Sequence, residues 1–452
     1  MHSSRSQNQT FYRMFFALCL PLVLQNVITL GVNLADNIML GSYSEVSLSG
    51  AAAVNQVQFV CQQLLGALGD GIVMICSQYW GRQQTAPMKK IMAAGFHLAL
   101  ILCALLFAAV TLQPSGILHL FTSDAAIAAE GVRYLNIIRF TYLFFEVTQI
   151  CLASLRSIGS VRIALYLSVQ TLIVNCCINY VLIFGRFGAP RMGIAGAALG
   201  TLTARILETA AAVWFLLRRE KHLRIVPSDL VRTDRLLRAD YLKITAPMMV
   251  VSGLWGLNTA LQTVILGHMT ARAIAANSAA SNLFLLVKSM PVGASAAAAV
   301  LIGRKIGEGN LKTVKEYAVL LQKTFLLIGL FCGILLFLIR IPVLSFYDLS
   351  GETRKMADSF LIILSVVTVG MAYQMPTNNG IVRGGGNAAF VVRMDLISIW
   401  GIVIPLSLFA AFVLKASPQV VVCCLNADQI FKCVPAFLEA NYGNWIRKLT
   451  RD

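Results

Sequence analysis

Residues 21–41 read PLVLQNVITLGVNLADNIMLG, and residues 247–267 read PMMVVSGLWGLNTALQTVILG. Each opens on proline, closes on glycine and is mostly apolar between, and the second begins 226 positions after the first. Gly81 recurs as Gly307 at the same offset, and Arg156-x-x-Gly159 recurs as Arg383-x-x-Gly386 with one residue of slippage. A register kept over such a distance marks a duplicated unit. Both copies are built from long apolar runs, so the repeated unit is a set of membrane-spanning helices, and the halves are parallel repeats.

Composition leads to the same class independently. With 58% hydrophobic residues, 13% charged and a mean hydropathy of +0.74, the chain has too little polar surface for a soluble globule. A crossing needs about 20 apolar residues. Twelve such runs are centred near residues 27, 62, 101, 143, 172, 204, 255, 288, 328, 370, 402 and 428, six in each half. The expected fold is an all-α integral membrane protein with twelve transmembrane helices in two six-helix lobes, residues 1–217 and 243–452. The polar stretch 218–242 is the expected cytoplasmic linker. The first run is too long for a signal-peptide core and is expected to be retained.

The formal charge of +17 is read by position. Most of the 37 Lys and Arg fall in alternate loops, with concentrations at Arg82 to Lys90, Arg218 to Lys243 and Arg304 to Lys323. That pattern places both termini in the cytoplasm of a multi-pass inner-membrane protein of bacterial type. These stretches have no docking module for nucleic acid, so the bilayer is the expected partner. The 11 cysteines lie within the spans without zinc or redox spacing and are expected to pack as small apolar residues. No phosphate-binding loop or nucleophile elbow is present, so an enzyme is not expected and no cofactor is implied. Uphill transport would draw on an ion gradient.

Polar side chains inside spans are costly and therefore informative. In the first span Asn26, Thr29, Asn33 and Asp36 share one helical face, which ends in a carboxylate. In the fifth span Thr171, Asn175 and Asn179 share a face, and the sixth contributes Thr201. These oxygens are a candidate site for H+ or Na+, with Asp36 as its charged member; small polar residues holding helices together are the alternative. In the second copy Gln262 stands where Asp36 stands in the first. There Ser252, Trp255, Asn258 and Gln262 share one face of the seventh span, and Gln374, Thr377 and Asn378 flank Pro376 in the tenth. Trp255, Asn258, Gln262, Gln374 and Asn378 are a candidate substrate path; packing is the alternative for Trp255. Arg205 and Glu208 are expected to pair. Glu146, in the fourth span near Arg139, is a second-rank proton carrier. Lys288 lies mid-span in the eighth helix, placed either to repel or replace a cationic substrate or to pair with a carboxylate such as Asp395. Asp70 is assigned to the inner half of the bundle.

These residues resemble a known family. The run Pro21 to Gly41 with its Asp36-x-x-x-x-Gly41 ending, Gly81, the Leu155-Arg156-x-x-Gly159 turn, the Asn175-x-x-x-Asn179 face, the Met192-Gly193-x-x-Gly196-Ala197-Ala198 entry and Arg383-Gly-x-Gly386 are similar to the multidrug and toxic compound extrusion (MATE) family over nearly the whole chain. The resemblance implies a monomeric two-lobed antiporter exporting organic, often cationic and amphipathic, compounds in exchange for H+ or Na+. It also implies that Asp36 is the coupling carboxylate, helped by Asn175, Asn179 and Thr201, so that any Na+ would sit at Asp36. Asn179 stands where many relatives carry aspartate, and Trp255 stands where one branch carries glutamate. With one carboxylate the site leans to protons. A flippase for lipid-linked precursors shares the architecture but needs a basic cavity open to lipid, toward which only Lys288 and Arg205 point.

Overall fold

The structure, a computed structural model, describes residues 2–119, 124–345 and 349–451. Among the described residues it is helical and contains no strand. Eleven helices are long and apolar enough to cross a membrane, and two more, meeting at 49°, complete a twelfth span. They are α1 (His2–Tyr43), α2 (Glu45–Gly81), α3 (Thr85–Leu112), α4 (Ala125–Ile138 and Thr141–Ser157), α5 (Arg162–Phe184), α6 (Ile194–Arg219), α7 (Arg235–Met269), α8 (Ala271–Gly307), α9 (Leu311–Leu344), α10 (Gly351–Val382), α11 (Ala388–Val413) and α12 (Pro418–Tyr442). All twelve run centres expected from the sequence fall within them.

Helix starts are set by short polar side chains that satisfy the first free amides. Asp124 accepts from the Ala126 and Ile127 amides, Asp234 from Leu236 and Leu237, Thr270 from Ala273, and Asn310 from Thr313. The copies also share their turns. At Arg156-x-x-Gly159 the Gly159 amide bonds Arg156 O and the Ser160 amide bonds Leu155 O; at Arg383-x-x-Gly386 the Gly386 amide bonds Arg383 O and the Asn387 amide bonds Val382 O. Both glycines take left-handed φ angles, 85° and 108°, which close a helix end in the manner of a Schellman turn. Gln83 (φ 59°) holds the left-handed position that Gly309 (φ 80°) holds 226 residues later. Duplication has thus kept the backbone where it has changed the side chain.

The chain forms two compact units. One comprises Leu24–Cys76 and Gln83–Gly253; its core joins Leu40, Val54, Leu118, Leu135, Ile138, Ile183 and Ala197. Its polar linker is tied to α3 by Lys89–Asp229 at 2.8 Å and Lys90–Asp234 at 3.5 Å. The other comprises Met1–Val23, Ser77–Arg82 and Leu254–Asp452, with a core that includes Leu266, Leu283, Cys332, Phe360, Leu364 and Val421. Within it Gly307 faces Gly81 so closely that a Cβ on Gly307 would lie 3.0 Å from Gly81 Cα. The repeat-related glycines therefore mark one helix crossing. The end of the chain docks on α2 in the same unit: Gln78 Nε2 donates to Arg447 O, and Gln78 Oε1 accepts from the Leu449 amide.

Candidate functional site

The buried face of α5 is a polar stripe of Ser168, Thr171, Asn175 and Asn179, spaced three or four residues apart so that all four point to one side. Asn179 Nδ2 donates to Asp36 Oδ1 at 2.6 Å and to Asn175 Oδ1 at 3.2 Å. Asn175 Nδ2 donates to Thr201 Oγ1 at 3.1 Å. A hydrogen-bonded chain thus runs from Thr201 on α6 through both amides of α5 to the carboxylate on α1. Two further oxygens of this stripe, Asn179 Oδ1 and Thr171 Oγ1, are buried and have no hydrogen-bond partner among the described residues.

Two residues that the sequence reading passed over complete the site. Gly200, on α6 against Asn179 of α5, leaves the room that the amide occupies, since a Cβ there would collide with Asn179 Oδ1. Tyr134, fully buried on α4, interacts with Thr201 and lies in the field of Asp36. Neither is visible as a motif, because both act through contacts from other helices. Arg205 pairs with Glu208 at 2.7 Å, as their i, i+3 spacing predicts, and its field also reaches Asp36. Asn33 shares a helical face with Asp36 but is exposed and makes no hydrogen bond among the described residues. Thr29, also exposed, returns its hydroxyl to Gln25 O.

Glu146 is fully buried, and neither carboxyl oxygen has a hydrogen-bond partner among the described residues. It is not paired with Arg139. Arg139 stands at the break in α4, bonds Thr111 Oγ1 at 3.2 Å and packs over the Phe107 and Phe140 rings. The field of Glu146 reaches Cys103 on α3 and Tyr241 on α7. Asp70 lies within the field of Arg156.

The second copy holds a different arrangement. Lys288 Nζ sits 4.7 Å from the centre of the Trp255 ring. Asn258, one turn along α7, is buried, and its Oδ1 has no partner among the described residues. Gln262 is half-buried and makes no hydrogen bond among those residues. Asn378 Nδ2 donates to Gln374 Oε1 at 3.0 Å, and Gln374 Nε2 donates to Gln429 Oε1 at 2.8 Å. The pairing of Lys288 with Asp395 that the sequence allowed is not formed. Asp395 is held by the buried Lys432 at 2.8 Å, which also holds Asp428 at 2.9 Å. The Asp428–Lys432 spacing of four was a readable signal for half of this triad; Asp395 comes from another helix. Asn378 follows Pro376 inside a π-helical turn, Thr377–Val382, of the kind common at functional sites.

A profile of the family described as MatE matches residues 21–181 and 247–409, beginning at the two prolines that open the repeats. Among curated relatives, a probable multidrug resistance protein NorM of Thermotoga maritima is 25% identical over 445 residues, 96% of this chain and 94% of that protein. The uncharacterized transporter YisQ of Bacillus subtilis is 23% identical over 398 residues, covering 87% of this chain and 86% of that one. Among solved structures, a MATE in the straight conformation superposes with a TM-score of 0.85 at 16% identity, covering 94% of each chain. The eukaryotic MATE transporter AtDTX14 gives 0.85 at 17% identity, covering 97% of each. These likenesses show a shared fold.

Proposed function

The chain belongs to the MatE family of membrane transporters rather than to any enzyme class, and from that premise we propose that it is a secondary active antiporter exporting organic, cationic amphipathic compounds in exchange for H+ or Na+. The observation that carries this reading is the hydrogen-bonded chain Thr201–Asn175–Asn179–Asp36, which ends on the one carboxylate of the α1 face. Its curated relatives named as multidrug resistance proteins support the substrate class. In this reading residues 1–217 and 243–452 are the lobes that alternate, and 218–242 is the cytoplasmic linker. The protein works as a monomer in a bacterial plasma membrane with both termini inside, and needs no cofactor beyond its coupling ion.

The proposed cycle begins with Asp36 ionised and held by Asn179. Protonation, or neutralisation by Na+, cancels the charge that makes this hydrogen bond a strong one. The bond weakens and α1 repacks. A ligand or proton shifts a conformational equilibrium only by the difference in its affinity for the two states, so substrate and ion exchange through those states without sharing an atom. Because Asn179 turns its amide nitrogen toward Asp36, the carboxylate meets a donor where a sodium site would offer oxygen, which favours the proton. Glu146 is the second-rank carrier, and Trp255, Asn258, Gln262, Gln374 and Asn378 line the substrate path.

The test is dye efflux from loaded proteoliposomes bearing wild type or Asp36→Asn, under an imposed proton or sodium gradient alone. Wild type should respond to the proton gradient, and the variant to neither. If no gradient moves any of several cationic dyes through folded wild type, the exporter reading falls and lipid-linked substrates are tested next.

A further inference from the structure

Lys288 lies at the middle of α8, where a cation facing lipid would be expensive. It is half-buried, and among the described residues its ammonium makes no hydrogen bond and no ion pair. The carboxylate whose field reaches it, Asp428, is already held by Lys432 at 2.9 Å and by Gln429 Nε2 at 2.9 Å. Its ammonium lies 4.7 Å from the centre of the Trp255 ring, a cation–π arrangement that places the charge without satisfying its three donors. One turn along the same helix as Trp255, the buried Asn258 Oδ1 lacks a donor. An ammonium without a hydrogen-bond partner among the described residues thus stands over an indole of α7, and an unpartnered amide oxygen lies three residues further along that helix.

We propose that Lys288, Trp255 and Asn258 form a recognition site for an aromatic compound carrying a carboxylate. The carboxylate fills the Lys288 donors, the flat ring lies along Trp255, and an N–H or O–H of the ligand is accepted by Asn258. This rests on the exporter reading and narrows it: among amphipathic cations, the favoured substrates are zwitterions that also carry an anionic oxygen. The amino-terminal copy lacks the device, since Lys288 corresponds to Gln62 and Trp255 to Thr29 at the 226-residue offset.

Tetramethylrhodamine free acid and its methyl ester share one ring system and differ in the carboxylate. Their affinities for purified protein are measured by fluorescence anisotropy in phosphatidylcholine nanodiscs, with and without phosphatidylglycerol, for wild type, Lys288→Gln and Lys288→Arg. Wild type should prefer the free acid, Lys288→Gln should shift the affinity ratio about tenfold toward the ester, and Lys288→Arg should keep the wild-type preference. Misfolding would weaken both dyes together, so the ratio is the readout. An unchanged ratio in Lys288→Gln overturns the proposal. A preference that vanishes when phosphatidylglycerol is present assigns Lys288 to a lipid phosphate and also overturns it. Binding is read without transport, so a wild type that binds the acid through Lys288 but exports neither dye would sink the exporter reading and leave the site standing.

Discussion

Asn179 reaches Asp36 only because residue 200 has no side chain. Gly200→Ala would push the amide off the carboxylate while changing neither charge nor the rest of the stripe. Displacements of this size at a coupling group are costly, so gradient-driven efflux should fall about tenfold with the protein still folded. Normal efflux would mean that the contact does not matter. At this scale the sequence was partly readable. Asp36, Asn175, Asn179 and Thr201 were legible because a helix repeats every 3.6 residues and polar groups are rare inside spans. Gly200 and Tyr134 were not, since a missing side chain and a buried phenol gain their meaning from a different helix. Asn33 looked equivalent to Asp36 by spacing, yet the burial that separates them depends on what packs against α1.

Elements carry the next set of distinctions. Arg139 and Glu146 lie near one another in the sequence of one span, yet Arg139 stands at the break in α4 and bonds Thr111 instead. The linker shows the opposite case, where a polar loop is fastened to a helix. Asp229 accepts from Lys89 Nζ at 2.8 Å and from the Val226 amide at 3.1 Å, and the Lys89 ammonium foremost holds its carboxyl below the usual aspartate range. A carboxylate lowered on folding contributes stability above its unfolded pKa, near 4, and loses it as pH falls through the folded value. Read as protection relative to the intrinsic amide rate, hydrogen exchange across 218–242 should therefore be unchanged through neutral pH and less protected, hence raised above that baseline, in acid below about 4. Asp229→Asn should show the raised exchange already at pH 7. Equal protection in variant and wild type at neutral pH would refute the fastening role.

On the scale of the whole chain, two copies share a backbone and divide the chemistry. Helix ends, the left-handed glycines 159 and 386, and the Gly81–Gly307 crossing recur, whereas Asp36 is answered by Gln262 and Gln62 by Lys288. The duplication could be read from sequence because apolar length and turn glycines survive divergence. Of the Asp395–Lys432–Asp428 triad only the Asp428–Lys432 half could be, because Asp395 lies far from both along the chain. α1 and α7, the first helix of each copy, each contribute residues to both compact units, so Asp36 stands on a helix that belongs in part to each. The central claim is that substrate leaves in exchange for an ion taken up at Asp36. Its most direct measurement is the proton flux evoked by adding a transported dye outside proteoliposomes that contain a pH indicator. Wild type should show dye-dependent proton movement opposite to the dye, and Asp36→Asn should show none; undiminished, dye-coupled proton movement in that variant would contradict the account.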